Sequence, residues 1–377
     1  MKRLLLSTIL AFAFLGSHFS AVLAAQSAQV SHQPSVIYQI VTDGKTKKVV
    51  AQMPYMHRGA ISPSGHYVYT ERIGYGKNDP TVPYVYHTQT KKLTQLGGFA
   101  KWSPNQDILY ILEKGGIIRV NPADGTKKVL VEAVPQYPVL DFAVSPDEQY
   151  MAFSRKDEKA SDPSQANHLY LQHLPTGKMK INDRYAWEQP AFRGIETFYW
   201  LPTSKKLFYR TKDAYKELDL PTGLKYMHKL NAFPSYSNDM KYKYVRAGNE
   251  EYLLDLQSGK KVMLQKQRQE IMENYLDRIA WSLTGHQFAS EEVLAASGNA
   301  QDVYMMIRLN KDEMHPIFPF GDVGKSQYSP YMSYRDNVRL IGWAKDGKSF
   351  YVADWSSIHY SSFSAEKLDA YLQVIEK

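Results

Sequence analysis

Two histidines, His168 and His173, come nearest to a ligand spacing. An imidazole pair holds a transition metal only when both rings reach the same ion. In the alternating run LYLQH, strand periodicity sends residues five apart to opposite faces, so no metal site is read there. Asp157, Glu158 and Asp162 in KDEKASDPSQ are hard oxygen donors of the kind calcium takes. Lys156 and Lys159 offset their charge, and a solvated loop is the expectation. The chain has no G-x-S-x-G elbow, no H-E-x-x-H, no glycine-rich phosphate loop and no EF-hand spacing. No catalytic residue, metal or cofactor is assigned on these grounds. What remains is a set of aromatic and cationic residues in long connections: Tyr75, Lys77, Tyr185, Trp187, Arg193, Tyr328, Tyr331, Tyr334 and Arg335. Tyr, Trp and Arg dominate protein interfaces, and aromatic planes also stack on sugars. Such chemistry recognises a partner without breaking a bond. Some of these side chains are expected to pack within the loop layer instead, Trp187 foremost.

The elements that would carry these residues begin after a leader. Lys2 and Arg3 precede LLLSTILAFAFLG, and small residues follow up to Ala24. This reads as a secretory signal peptide over residues 1–24, cleaved near Ala24, because the apolar run is too short for the roughly 20 residues of a membrane span. Residues 25–34 read as a flexible N-terminal segment. The expected product is a secreted monomer with no stable membrane insertion. It has 0 cysteines, so burial alone must hold it together. The formal charge of +8 favours loose association with anionic surfaces, but no dense basic run points to nucleic acid.

Helical periodicity is nearly absent. Short runs of Tyr, Val, Ile and Phe alternate with Gly, Pro, Asn and Asp turns, the pattern of half-buried strands. The recurring unit is an apolar strand, a Ser-Pro-x-x turn and an aromatic-rich strand. It appears at Ala60 to Thr70, Lys101 to Leu112 and Ala143 to Ser154, with weaker copies from Tyr199, Ser235, Ala280 and Gly342. Most copies are followed by a second hairpin turning through Thr, Gly or Lys, as in IIRVNPADGTKKVL from Ile117 and YLLDLQSGKKVML from Tyr252. The copies recur every 40 to 50 residues or so and predict an all-β propeller of seven four-stranded blades over residues 35–363. VIYQIVTDGKTKKVV from Val36 has the outer-hairpin pattern without a preceding Ser-Pro turn. An outer strand donated from here to the last blade would close the ring, with SIHYSSF from Ser357 as a further strand. Residues 364–377 read as a short C-terminal helix capped by Ser364, and Gln265 to Arg278 as an amphipathic lid helix.

The pattern W-S-P-x-x-x-x-L-Y-I at Trp102 to Ile111, with N-P-A-D-G-T-K beyond it, resembles the TolB-type repeat of WD-like propellers. The resemblance runs through the mature chain, with the motif clearest in three copies. It implies a propeller that makes protein contacts or supports another domain, and it brings no catalytic residues. In such blades the Ser-Pro and Thr-Gly-Lys turns share one face of the disc. The long connections, starting at Ile73, Arg155, Asn182, Gln265, Glu292 and Pro319, lie on the other. Function concentrates on long loops held by a rigid scaffold, so the expectation is a non-enzymatic scaffold binding a protein or a cell-envelope glycan there. The alternative is a propeller hydrolase or lyase acting on an extracellular polymer, with acids and histidines supplied by separate blades.

Overall fold

The computed structural model describes residues 35–41, 46–53, 59–72, 81–157, 159–186, 197–212, 214–228, 233–247, 250–263, 278–295, 303–310, 314–316 and 338–354. These form an all-β propeller whose strands lie in seven four-stranded antiparallel sheets. The first sheet runs Gly59–Ile61, Tyr67–Arg72, Val82–His87, Leu93–Gln95, and the second Phe99–Trp102, Leu109–Glu113, Gly116–Val120, Lys127–Val131. The third is Val139–Val144, Tyr150–Lys156, Asn167–His173, Met179–Tyr185, and the fourth Phe198–Trp200, Lys206–Arg210, Tyr215–Asp219, Lys225–His228. The fifth is Ser235–Tyr236, Tyr242–Ala247, Glu250–Asp255, Lys261–Met263, and the sixth Arg278–Trp281, Phe288–Ala295, Val303–Asn310, Met314–Pro316. Within each of these six, chain order is spatial order, each sheet being an antiparallel meander.

The seventh sheet takes strands from both ends of the chain. Val338–Trp343 and Ser349–Asp354 pair with each other, and Ser35–Val41 pairs with Ser349–Asp354 on one side and Lys47–Met53 on the other. The start of the chain therefore supplies two strands here, where the sequence pattern pointed to one. Ile37, Ile40 and Met53 are fully buried in this arrangement, and Gln39 Nε2 donates to Ser349 Oγ at 2.7 Å. The strand expected from Ser357, the helix expected at 364–377 and all but the last residue of the helix expected at Gln265 to Arg278 lie outside the described residues, and Arg278 itself opens a strand. Among the described residues the helical content is a single 3-10 turn, Pro163–Gln165.

Ser-Pro turns bind one another from sheet to sheet. Ser64 donates to Asp107, Asn105 Nδ2 to the Pro146 carbonyl (2.6 Å), and the Asp147 N–H to Ser204 Oγ (3.0 Å). Asn238 donates to the Ser282 carbonyl, Ser282 Oγ to that of Gly347 (3.0 Å), and the Lys345 N–H to that of Pro63 (3.1 Å). Between the fourth and fifth sheets the Tyr236 N–H donates to Tyr199 Oη (3.3 Å). These bonds link each sheet to the next and the seventh back to the first.

Tryptophans at the ends of first strands add a second tie. Trp102, Trp200 and Trp343 donate Nε1–H to the backbone carbonyls of Ala60, Ala143 and Ala280 on the preceding sheet, and Trp281 donates to Ser235 Oγ. A buried indole needs an acceptor for its one polar atom, and the neighbouring first strand offers it. The core lies between sheets. Ala152, Leu169, Leu171, Trp200, Leu207 and Tyr209 fill the gap between third and fourth, and Phe142, Met151 and Phe153 that between second and third.

Candidate binding face

The two ends of the sheets differ in chemistry. At the turn end, buried Ser62, Ser103, Ser145 and Ser237 fold their hydroxyls back onto the turn backbone, and the turns grip their neighbours as above. Polar groups there are spent on the scaffold. Away from that end, charged side chains enter the spaces between sheets.

The third and fourth sheets show how. In the third, Asp141 lies opposite Ser154, Ser154 opposite Leu169, and Leu169 opposite Asp183. Cross-strand partners share a face, so Ser154, Leu169 and Asp183 look toward the fourth sheet, while Asp141 on the innermost strand turns its carboxylate to the second. Asp183, 12% exposed, accepts from Tyr209 Oη (2.6 Å), Lys216 Nζ (2.8 Å) and Lys225 Nζ (3.1 Å). Burial by itself pushes its carboxyl up. The bonds from Lys216, Tyr209 and Lys225 outweigh burial and hold the group below the usual carboxylate range. Burial first, and then the bond to Asp183, push the Tyr209 phenol far up. Asp183 is thus a fixed anion and Tyr209 a fixed donor, and neither is poised to move a proton near neutrality.

Toward the centre of the disc, Lys101 of the second sheet donates to Asp141 Oδ1 (2.8 Å) and the Phe142 carbonyl (2.7 Å) of the third. Arg155, buried on the other face of the third sheet, donates to the carbonyls of Tyr137 (2.8 Å) and Glu132 (2.7 Å), pinning the connection from the second sheet. Glu71 is buried at the end of its strand, where Tyr69 Oη donates to it at 2.6 Å. On the fourth sheet Glu217 accepts from Lys206 Nζ (2.6 Å) and approaches His228 Nε2 at 2.9 Å. Each of these carboxylates has its own hydroxyl or basic partner. His168 and His173 lie opposite Arg155 and Tyr150 on alternate faces of the third sheet. Burial, then Arg184, lower the His168 pKa. Among the described residues no group of three or more His, Asp or Glu is placed to hold a metal ion.

Of the nine candidate contact residues, Tyr185 is described, and it is not part of a loop surface. It ends the strand Met179–Tyr185, opposite Asn167, and is 3% exposed in the core between third and fourth sheets. Its ring packs edge-on against Tyr209, centroids 5.4 Å apart, and desolvation pushes its phenol far up. The connection read from Asn182 therefore begins as strand, as do those read from Arg155 and Glu292. Burial of a large aromatic on the face shared with Leu169 won over its apparent place in a loop. Tyr75, Lys77, Trp187, Arg193, Tyr328, Tyr331, Tyr334 and Arg335 lie outside the described residues. The Asp183 hub escaped the sequence reading. Its signal was an acid at an inward strand position in MKINDRY, but its partners lie on another sheet.

Among the described residues Tyr185 Oη is buried with no well-aligned hydrogen bond, its interaction with the Ser154 hydroxyl opposing the effect of burial only in part. A buried hydroxyl left unpaired costs about 1–3 kcal/mol. Tyr185→Phe is accordingly expected to leave stability unchanged or raise it by up to about 1 kcal/mol, as read by urea unfolding. A loss above about 1 kcal/mol would mean that the hydroxyl has a partner.

No protein-family model matches the chain, and no curated protein matches it. Solved structures similar to it include a putative TolB from Agrobacterium tumefaciens, 16% identical, covering 86% of this chain and 99% of its own, with a TM-score of 0.42. An oligogalacturonate lyase in complex with manganese is 13% identical, covering 82% of this chain and 90% of its own, TM-score 0.45. The oligogalacturonate lyase of Vibrio parahaemolyticus is 11% identical, covering 85% and 91%, also with a TM-score of 0.45.

Proposed function

We propose that this protein is a secreted, non-enzymatic scaffold that binds a protein or a cell-envelope glycan through the face carrying its long connections. The observation that carries the reading is the division of labour between the two ends of the sheets. Turns at one end are consumed in sheet-to-sheet bonds. Carboxylates between the sheets are each held by their own lysine, histidine or tyrosine. Acid–base hydrolysis or elimination needs at least one group with a pKa near the working pH beside the bond to be broken, and Asp183 and Tyr209 are both driven away from that range. Recognition needs only shape, aromatic surface and fixed charge, and the loop residues supply the last two in type.

The test is to immobilise the chain without residues 1–24 and expose it to a cell-envelope extract and to purified envelope polysaccharide. A retained partner is expected, and the double variant Y334A/R335A should release it by about tenfold or more, given that such residues dominate interfaces. No retained partner, together with turnover of a polysaccharide or peptide, would replace this reading with the hydrolase or lyase alternative.

A further inference from the structure

We infer that the turn end of the disc is a docking surface for an anionic lipid bilayer, holding the protein with its long connections pointing away from the membrane. This goes beyond the proposed function, because it concerns the opposite face and stands whether or not the long connections bind a partner.

The observation is where the lysines lie. In the first, second and fifth sheets a lysine pair stands at the start of the outermost strand: Lys91 and Lys92, Lys127 and Lys128, Lys260 and Lys261. Lys178 and Lys180 bracket the start of the third sheet's outer strand, Lys225 opens the fourth's and Lys48 follows the start of the seventh's. All ten of these side chains are exposed. The far ends of the strands carry Gln95, Val131, Tyr185, His228, Met263 and Met53, with no lysine among them. Because every outer strand runs from the turn end to the loop end, this places the cations in a ring at the edge of one face.

The acids of the described outer turns lessen the ring's charge but do not cancel it, three carboxylates standing against ten lysines. The described outer turns hold Asp124, Asp219 and Asp255, and each closes its own turn by accepting from Thr126, Thr222 or Ser258. Inner-turn acids are similarly bound: Asp107 to Ser64, Glu148 to Ser103 and Gln106, Asp239 to Ser237 and His286. Among the described residues, Lys225 alone of the ring has a carboxylate within salt-bridge distance.

Lysines on open sheet edges also discourage pairing with other chains. That role is met by a charge anywhere along the edge and does not account for their collection at one end. Nor does it account for what lies beside them. Val49, Val129, Met179 and Val262 adjoin these lysines in sequence and are exposed, and so are Leu224, Tyr226 and Met227 around Lys225. Exposed apolar side chains set among cations fit an interface where headgroups are anionic and acyl chains lie just beneath. A planar ring also matches a planar surface. A linear polyanion would use the charges but gain nothing from the apolar neighbours.

The test is co-sedimentation of the chain lacking residues 1–24 with vesicles of phosphatidylcholine containing one-third phosphatidylglycerol, and with pure phosphatidylcholine. Binding is expected to the first alone, and to weaken about tenfold or more between low and high salt as the charges are screened. The variant K127Q/K128Q/K178Q/K180Q/K260Q/K261Q should lose it while unfolding at the wild-type temperature. The control K156Q/K159Q, at the loop end, should keep it. M179S/M227S should weaken vesicle binding and leave binding to soluble polyphosphate unchanged. The inference is overturned by absence of binding to anionic vesicles, by equal binding to neutral ones, or by binding that survives the six-lysine variant. Polyphosphate binding that the six-lysine variant loses, with vesicle binding indifferent to M179S/M227S, would assign the ring to a linear polyanion instead.

Discussion

Asp183→Ala is expected to lower the unfolding free energy by about 2–4 kcal/mol, because removing one member of a buried charge cluster strands the others. Tyr209 is fully buried and Lys216 is 21% exposed, so both would lose their acceptor without gaining water. Lys225, 38% exposed, adds little. Asp183→Asn keeps the shape, and the amide can still accept from Tyr209, so it should cost less than alanine. The difference should depend on pH with a definite sign. The folded-state pKa of Asp183 is lowered from 3.8. Its contribution is therefore complete above the unfolded value and is lost as pH falls through the lower folded value. The gap between wild type and Asp183→Asn should stay constant from pH 7 to about 5 and close below about pH 4. Urea unfolding across that range measures it. A constant gap down to pH 2, or a loss under about 0.5 kcal/mol for alanine, would show that the cluster does not hold the third and fourth sheets together.

Deleting residues 1–53 should abolish cooperative unfolding, whereas deleting 1–34 should leave it intact. The longer deletion removes two of the seventh sheet's four strands and leaves Ser349–Asp354 as an open edge. It also removes Ile37, Ile40 and Met53, whose exposures are 0%, 1% and 0%. Losing even one such side chain costs about 2–5 kcal/mol, and all three approach the whole stability of a domain, about 5–15 kcal/mol. Ile37→Ala, a milder test, should cost about 2–4 kcal/mol. Differential scanning calorimetry distinguishes the outcomes, and a synthetic peptide of residues 35–53 added to the longer deletion should restore a transition. A normal transition in the 1–53 deletion without peptide would mean that the last two strands are stable without the first two.

Individual sheets were legible because their signals are local. Ser-Pro turns, Thr-Gly-Lys turns and period-two alternation sit within about 40 residues of one another, and Trp102 to Ile111 carries the turn that sets the first two strands of its sheet against each other. The fourth strand of the seventh sheet was not legible. Lys47–Met53 pairs with Ser35–Val41 in an ordinary hairpin, and nothing in a hairpin says which distant edge it will join. Tyr185 was misplaced for a related reason. It was read as part of the connection starting at Asn182, whereas the strand Met179–Tyr185 runs on past that point because its pairing with Asn167 on the neighbouring strand continues to Tyr185.

By itself, then, the sequence determined the strand-and-turn unit, its repetition and the lysines near the start of six of the seven outer strands, since all of these are set by neighbours along the chain. Only the tertiary structure decided that those lysines form one ring, that Asp183 meets Tyr209 and Lys216 across a sheet boundary, and that Tyr185 is core. These depend on which faces of which sheets come together. That is fixed by burial of apolar surface between sheets, a non-directional force that leaves no mark at any one position in the chain.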